Sequence, residues 1–158
     1  VAAVTAVRVS LVDLYVLRRG AGGLECLVLR RAAGGRCTGA WETVHGHIEA
    51  GESPADAAQR EMLEETGLLP GRLYNLSRVE LFYQHRQDEV ALVPVFAAFV
   101  ERDAEVRLSE EHDRAEWLRL SDARERLAWP RERRALDDIV ILVGRGDAGP
   151  VEDVLRVE

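Results

Sequence analysis

The sequence predicts an α/β or α+β fold in which a mixed sheet lies between helices. Three observations predict it. Its segments come in the order strands, helix, strands, helix. The stretches up to Val44 and from Leu73 to Val100 are rich in Val, Leu, Tyr and Phe and are cut by glycines or polar tips, which is a strand pattern. The stretch from Ser53 to Thr66 carries helix punctuation at both ends instead. With 158 residues the chain is expected to form a single domain over residues 1–158, because one domain ordinarily takes about 100–200 residues. That length buries a core without disulfide or metal staples.

Taken in order, Val7 to Leu17 is predicted as a strand that Gly20, Gly22 and Gly23 interrupt. Glu25 to Arg31 resumes as a second strand, so the two form a hairpin with a slightly long loop. Ala32 to Ala40 holds three glycines and reads as a loop, Trp41 to Val44 as a short strand, and Gly46 to Glu52 as another loop. In the helix that follows, Ser53 caps the start, Pro54 takes the first helical position and Asp56 completes an approximate capping box. Gly67 stands where the chain must turn left-handed to leave the helix. Leu73 to Gln84 and Val90 to Val100 are strands on either side of the polar tip His85 to Glu89. Pro94 has no N–H to donate and marks the second as an edge strand or the site of a bulge. Asp103 to Asp113 is a charged connection, and Ala115 to Leu120 a short strand around Trp117. Ser121 to Leu127 and Glu132 to Val143 read as helices, the second burying Leu136, Ile139, Val140 and Val143 on one face. Gly144 to Glu158 is a glycine-rich tail, and neither a repeat nor a linker divides the chain.

Apolar residues make up 47% and charged residues 31%, which is a globular and not a disordered composition. The 28 acidic residues outnumber 21 basic ones, all of them Arg, for a net charge of −7. Such a surface repels a nucleic-acid backbone, so no polymer partner is expected, and a phosphate-bearing substrate needs positive charge supplied locally. Cys26 and Cys37 make no disulfide framework; Cys26 sits in an apolar run as a core residue. The apolar opening from Val1 to Leu17 carries Arg8 and Asp13 and lacks the layout of a secretory signal. Without a run of 18 apolar residues no membrane partner is expected either, and the expected compartment is the cytoplasm. The apolar first strand and the tail leave monomer and homodimer both open.

The chemistry concentrates between Gly46 and Leu68. Glu61, Glu64 and Glu65 stand at i, i+3 and i+4 of the helix, which brings three carboxylates to one face. Three like charges repel unless a cation sits among them. Hard oxygen ligands suit Mg²⁺ or Mn²⁺, which are also drawn to phosphate oxygens. The helix is expected to turn Ala58 and Met62 to the core. Arg60 can reach back across the loop to Glu52 and so hold the loop against the helix.

Gly46, Glu52, Arg60-Glu61, Glu64-Glu65 and Gly67, with apolar residues at Leu63 and Leu68, have the spacing of a complete Nudix box, and the segment resembles that family. The resemblance implies the Nudix fold, an α/β/α sandwich with a mixed β-sheet, and hydrolysis of a nucleoside diphosphate linked to another moiety. It implies Glu61 and Glu65 as the main metal ligands, Glu64 as ligand or base, the Gly46 carbonyl as a further ligand, and Glu52–Arg60 as a supporting ion pair. The metal would be Mg²⁺ or Mn²⁺, neutralising phosphate charge and activating a water.

Outside the box, Leu108-Ser-Glu-Glu111-His112 with Trp117-Leu118, and Trp41-Glu-Thr-Val-His-Gly46, resemble the dihydroneopterin triphosphate pyrophosphohydrolases. That likeness implies a metal-binding Glu in the loop, here Glu111, with Glu110 one register away. The ADP-ribose-cleaving members carry a Pro about fifteen residues past the box, and Leu81 to His85 has none. Dinucleoside polyphosphate hydrolases carry a Tyr in that neighbourhood, and Tyr83 is there. Trp41, Tyr83, His85 and Arg86 are candidates to touch a base or pterin, and His45, His47 and Arg30 or Arg31 to touch phosphate. Trp129 reads as helix packing. The expected activity is Mg²⁺-dependent cleavage of a nucleoside or pterin triphosphate, or else of a dinucleoside polyphosphate. A nucleotide-sensing module without catalysis is the third reading, disfavoured because Glu52, Glu61, Glu64 and Glu65 are all present.

Overall fold

In the computed structural model, which describes residues 4–158, apolar side chains alternate along the strands, and the centre of the sheet is covered on both faces. Strand β2 (Leu11–Gly20) sends Val12, Leu14 and Val16 to one face and Tyr15 and Leu17 to the other. Strand β3 (Gly23–Arg31) divides Leu27 and Leu29 from Cys26 and Val28 in the same way. This period of two with both faces apolar is what a sheet between helical layers requires.

The remaining strands are β1 (Ala6–Val9), β4 (Trp41–Glu42), β5 (Val44–His47), β6 (Arg72–Gln84), β7 (Glu89–Phe99), β8 (His112–Arg119) and β9 (Arg156–Val157). They form one mixed sheet with the path β4-β3-β2-β7-β6-β9, while β1 pairs with β7, β5 with β2 and β8 with β3. Helix α1 (Pro54–Thr66) lies on the Val12 face; α2 (Leu120–Arg126) and α3 (Pro130–Val143) lie on the Tyr15 face. This is the expected α/β architecture with its mixed sheet.

Several boundaries differ from expectation, each for a local reason. The first strand divides at Ser10: β1 and β2 both run parallel to β7, but Val9 opposes Leu92 and Asp13 opposes Val95, one residue out of step. Residues 1–3 of the apolar opening lie outside the described residues. The β2–β3 hairpin closes on a two-residue turn, with Gly20 opposite Gly23, so its loop is short and not long. Gly46 and His47 belong to strand β5, opposite Val12 and Leu11, and not to the loop. Pro94 stands in a central strand and not at an edge. The bulge is real and lies opposite it: four steps on β6 from Asn75 to Val79 face two on β7, and Ser77 turns to φ 52° beneath the Asn75 side chain. Strand β8 begins earlier than expected, at His112. Val140 on α3 is exposed, because Leu136, Ile139 and Val143 already fill the face against the sheet. The tail forms a 3-10 turn (Gly149–Val151), a short helix α4 (Glu152–Leu155) and β9 on the edge of β6. No helix among the described residues is long and apolar enough to cross a membrane.

Candidate functional site

Helix α1 starts and stops where its end residues dictate. Ser53 is extended (φ −76°, ψ 158°) and its Oγ accepts the Asp56 N–H at 3.1 Å, followed by Pro54 at the first position. Gly67 adopts φ 71° and its N–H closes on Leu63 O at 2.9 Å. Ala57, Ala58 and Met62 are buried against the sheet.

The three carboxylates do not share one exposed face. At about 100° per residue, Glu64 lies on the solvent side of Glu61 while Glu65 is rotated toward Met62. Accordingly Glu64 is exposed, Glu61 half-buried, and Glu65 only 3% exposed beneath the helix. The acidic face is therefore a ramp from solvent into the core.

Arg60 organises the loop. Its guanidinium donates to Glu52 Oε1 at 2.7 Å and Oε2 at 3.0 Å, to the His47 carbonyl at 2.8 Å, to Glu61 at 2.7 Å and to Glu64 at 3.3 Å. Glu52 also accepts the Glu49 N–H at 2.9 Å, and these donors hold its carboxyl below the usual range. Across from the helix, a side chain at Gly46 would overlap the Glu61 carboxyl group, so that carboxyl lies directly on the strand backbone. Only glycine allows this approach.

Opposite α1 the sheet and the turn that leads into β8 add two carboxylates and a cation. Glu42 pairs with Leu29 across the β3–β4 ladder and is buried; its Oε1 meets His112 Nε2 at 3.1 Å and Arg31 Nη1 at 3.4 Å. The same Arg31 nitrogen donates to Glu111 at 3.0 Å. Burial, then the neighbouring Glu61, Glu42 and Glu111, push the Glu65 carboxyl well up, against one bond from the His45 backbone N–H. Burial also pushes Glu61 up, with Glu64 and Glu111 adding to it and Arg60 opposing. Glu65 Oε2 is buried without a hydrogen-bond partner.

An unpaired buried carboxylate oxygen, on a carboxyl that burial and the neighbouring acids push up, is what a hard divalent cation would relieve. The donor set fits such an ion. It is not preassembled: among the described residues no three His, Cys, Asp or Glu side chains converge on one point, since Glu61 turns to Arg60 and Glu111 to Arg31.

The other candidates are dispersed. His45 turns its side chain to the face opposite α1, where its Nδ1 lies 2.6 Å from its cross-strand partner Asp13, while His47 is exposed and joins the loop through its carbonyl. The Trp41 ring is covered by the Arg126 guanidinium at 4.7 Å. Arg30 is bound to Asp113 at 2.7 Å. Tyr83 bonds Asp88 at 3.1 Å at the tip of the β6–β7 hairpin, and His85 and Arg86 are exposed in that tip. Trp129 packs edge-on against Phe82, centroids 5.9 Å apart. The structure adds Glu42 to the acidic pocket and, on the opposite face, a buried network of Asp13, Arg131 and Glu132. Arg131 donates to Asp13 at 2.9 and 3.3 Å, and Glu132 accepts the Thr43 N–H at 2.6 Å. A lone acid inside the apolar run Leu11–Leu17 is the sequence signal for Asp13. Glu42 has no comparable signal, because its partners come from other strands.

The chain is 41% identical over 116 residues to an octanoyltransferase of Myxococcus xanthus, covering 69% of this chain and 30% of that protein. It is 36% identical over 85 residues to the asymmetrical bis(5'-nucleosyl)-tetraphosphatase of Rattus norvegicus, covering 52% of this chain and 58% of that one. The chain thus spans less than two thirds of either curated relative. In fold it is similar to the Escherichia coli dihydroneopterin triphosphate pyrophosphohydrolase, with a TM-score of 0.70, 21% identity, and coverage of 83% of this chain and 94% of the other. The NUDIX domain model matches residues 8–139, which contain the Gly46 strand, the Glu52–Arg60 loop and all three carboxylates of α1, and on that match the chain belongs to the Nudix family.

Proposed function

We propose that the chain hydrolyses a phosphoanhydride bond of a small nucleotide with the help of Mg²⁺. The observation that carries this reading is the Glu61 carboxyl lying on Gly46 beside the unpartnered Glu65 Oε2. Glu61, Glu65 and the Gly46 carbonyl would hold the cation, with Glu64 and Glu111 beside them. When bound, the cation would neutralise phosphate charge and lower the pKa of an attacking water.

The chain's own residues do the rest. Arg60 ties Glu61 to the loop and keeps that carboxylate beside Gly46, so that a small turn away from Arg60 would bring it to the cation. Glu64 is the exposed member of the three and can pass a proton from its carboxylate oxygen to solvent. Arg31 supplies the local positive charge that an anionic substrate needs on a protein of charge −7. Glu111 sits on a connection that can move when substrate binds.

For the substrate we favour a dinucleoside polyphosphate, a reading supported by the 36% identity to the rat tetraphosphatase. A pterin or nucleoside triphosphate is the second reading, favoured by the Trp41–Gly46 and Leu108–Leu118 segments. The test is hydrolysis with Mg²⁺ of diadenosine polyphosphates, dihydroneopterin triphosphate, the dNTPs and ADP-ribose, with products resolved by chromatography. Turnover lost in chelator and in Glu65→Gln supports the proposal. A folded protein that cleaves none of the panel with Mg²⁺ or Mn²⁺ overturns it.

A further inference from the structure

The end of the sheet beyond α1 presents an apolar surface that no described element covers. Three strands build it in register. Val7, Val90 and Tyr83 form one row across β1, β7 and β6; Val9, Leu92 and Leu81 form the next; Pro94 and Val79 form the third. Paired residues on neighbouring strands share a face. This is the face of Phe96 and α1, since Phe96 follows Pro94 at the strand period of two. The opposite face of the same ribbon is covered, with Phe82, Ala91 and Val93 packed together with Leu11.

The exposures are large for strand residues: Val7 64%, Val9 51%, Val79 57%, Leu81 68% and Tyr83 56%. With the half-buried Val90, Leu92 and Pro94 they leave about 600 Å² of largely apolar surface, at the top of the roughly 300–600 Å² a monomer usually carries in its largest patch. None of the eight side chains is charged, in a chain where 31% of residues are.

We infer that this face is a homodimer interface, occupied by the same face of a second copy. Eight uncharged side chains, with Asp88 held by Tyr83 and Thr5 at their rim, offer little to a charged peptide or a polyanion, whereas they are complementary to a second copy of themselves. Pairing it isologously removes about 1,200 Å² in all, above the approximately 1,000 Å² a specific interface needs. Face-to-face sheets pack about 10 Å apart, close to the thickness of a helix layer, so the partner's ribbon takes the layer that α1 leaves open beside itself. Leu81, the most exposed of the eight, is in the middle row and is the anchor.

The experiment is sedimentation equilibrium of the wild-type chain, Leu81→Asp, Val9→Thr with Leu81→Thr, and Ile141→Asp. Ile141 is 77% exposed on α3, away from the ribbon, and serves as the control. Wild type and Ile141→Asp are expected to be dimers, while Leu81→Asp dissociates at least about 100-fold more readily with its circular dichroism unchanged. The double Thr variant puts β-branched residues at both strand positions and reads the same loss if Leu81→Asp fails to fold. A wild type that stays monomeric up to several hundred micromolar overturns the proposal, whatever else binds the patch. So does a folded double Thr variant that remains as dimeric as wild type.

Discussion

Replacing Gly46 by Ala puts one methyl group where the Glu61 carboxyl lies. The backbone tolerates it, because Gly46 sits in strand β5 and is not among the residues with positive φ. The conflict is with the end of a flexible side chain, so the strand keeps its place and Glu61 swings aside. That movement breaks the 2.7 Å bond from Arg60 to Glu61 and leaves the Arg60–Glu52 pair intact. Hydrogen bonds to charged groups contribute about 1.5–3 kcal/mol. Partial exposure at this site reduces the expected loss to about 1–2 kcal/mol, or roughly 2–8 °C in Tm for a chain of this size. Activity should fall far more, since displacing a reacting group by about 1 Å costs on the order of 100-fold. The assay is kcat at saturating Mg²⁺ and substrate, beside a thermal melt in chelator. If Gly46→Ala keeps more than about a tenth of wild-type kcat, Glu61 does not act from its position on the strand.

Glu65→Gln should lower kcat by about 100-fold or more, because a hard cation loses a charged ligand. Its effect on the metal-free protein has the opposite sign. The folded pKa of Glu65 lies above the unfolded value of 4.5, so the native state loses stability as pH rises past that value, and Gln escapes the loss. In chelator the variant should therefore melt higher than wild type at pH 7 and alike at pH 4; a lower melting point at pH 7 refutes the burial argument. Glu111→Ala should reduce kcat strongly and Glu110→Ala little, with thermal stability unchanged in both; equal small effects in steady-state assays would make the loop mere surface. Asp13→Asn should cost about 3–5 kcal/mol in urea unfolding, because it strands the buried Arg131 charge. Burial alone would raise the Asp13 carboxyl, but His45 and Arg131 hold it low, so its contribution should fade only as pH drops below the usual carboxylate range.

Local chemistry made α1 legible in the sequence. The cap at Ser53, the proline after it and the left-handed Gly67 each act within a few residues, and the helix begins and ends at them. The spacing of Glu61, Glu64 and Glu65 was equally legible, but their unequal depth was not. Depth depends on where Met62 meets the sheet, which is a tertiary fact. Glu42 was illegible for the same reason. It becomes part of the acidic pocket only because β4 pairs with β3 and brings it to Arg31 and His112. Pro94 misled because a missing N–H normally excludes a central strand. Here the interruption falls beside the offset between β1 and β2 and opposite the bulge at Ser77, where the ladders on both sides are already out of step.

Strand β5 ties these two acidic systems to one register. Successive residues of a strand point to opposite faces. His45 therefore reaches Asp13, which Arg131 also holds, on one side while Gly46 receives Glu61 on the other. A slip of one residue would put the imidazole against Glu61 and leave Asp13 facing a glycine. The first error pushes the Glu61 carboxyl off its place on the strand, and the second leaves Asp13 to Arg131 alone. The Asp13–His45 bond thus works as a pin on the far side of the sheet that keeps Gly46 under the helix carboxylates. It also fixes the His45 backbone N–H that Glu65 accepts. On this reasoning the buried network behind the sheet is retained for alignment of the pocket in front of it. The two faces of β5 should therefore fail together when Asp13 is lost, with Glu61 and Glu65 losing their alignment although neither touches the substituted residue.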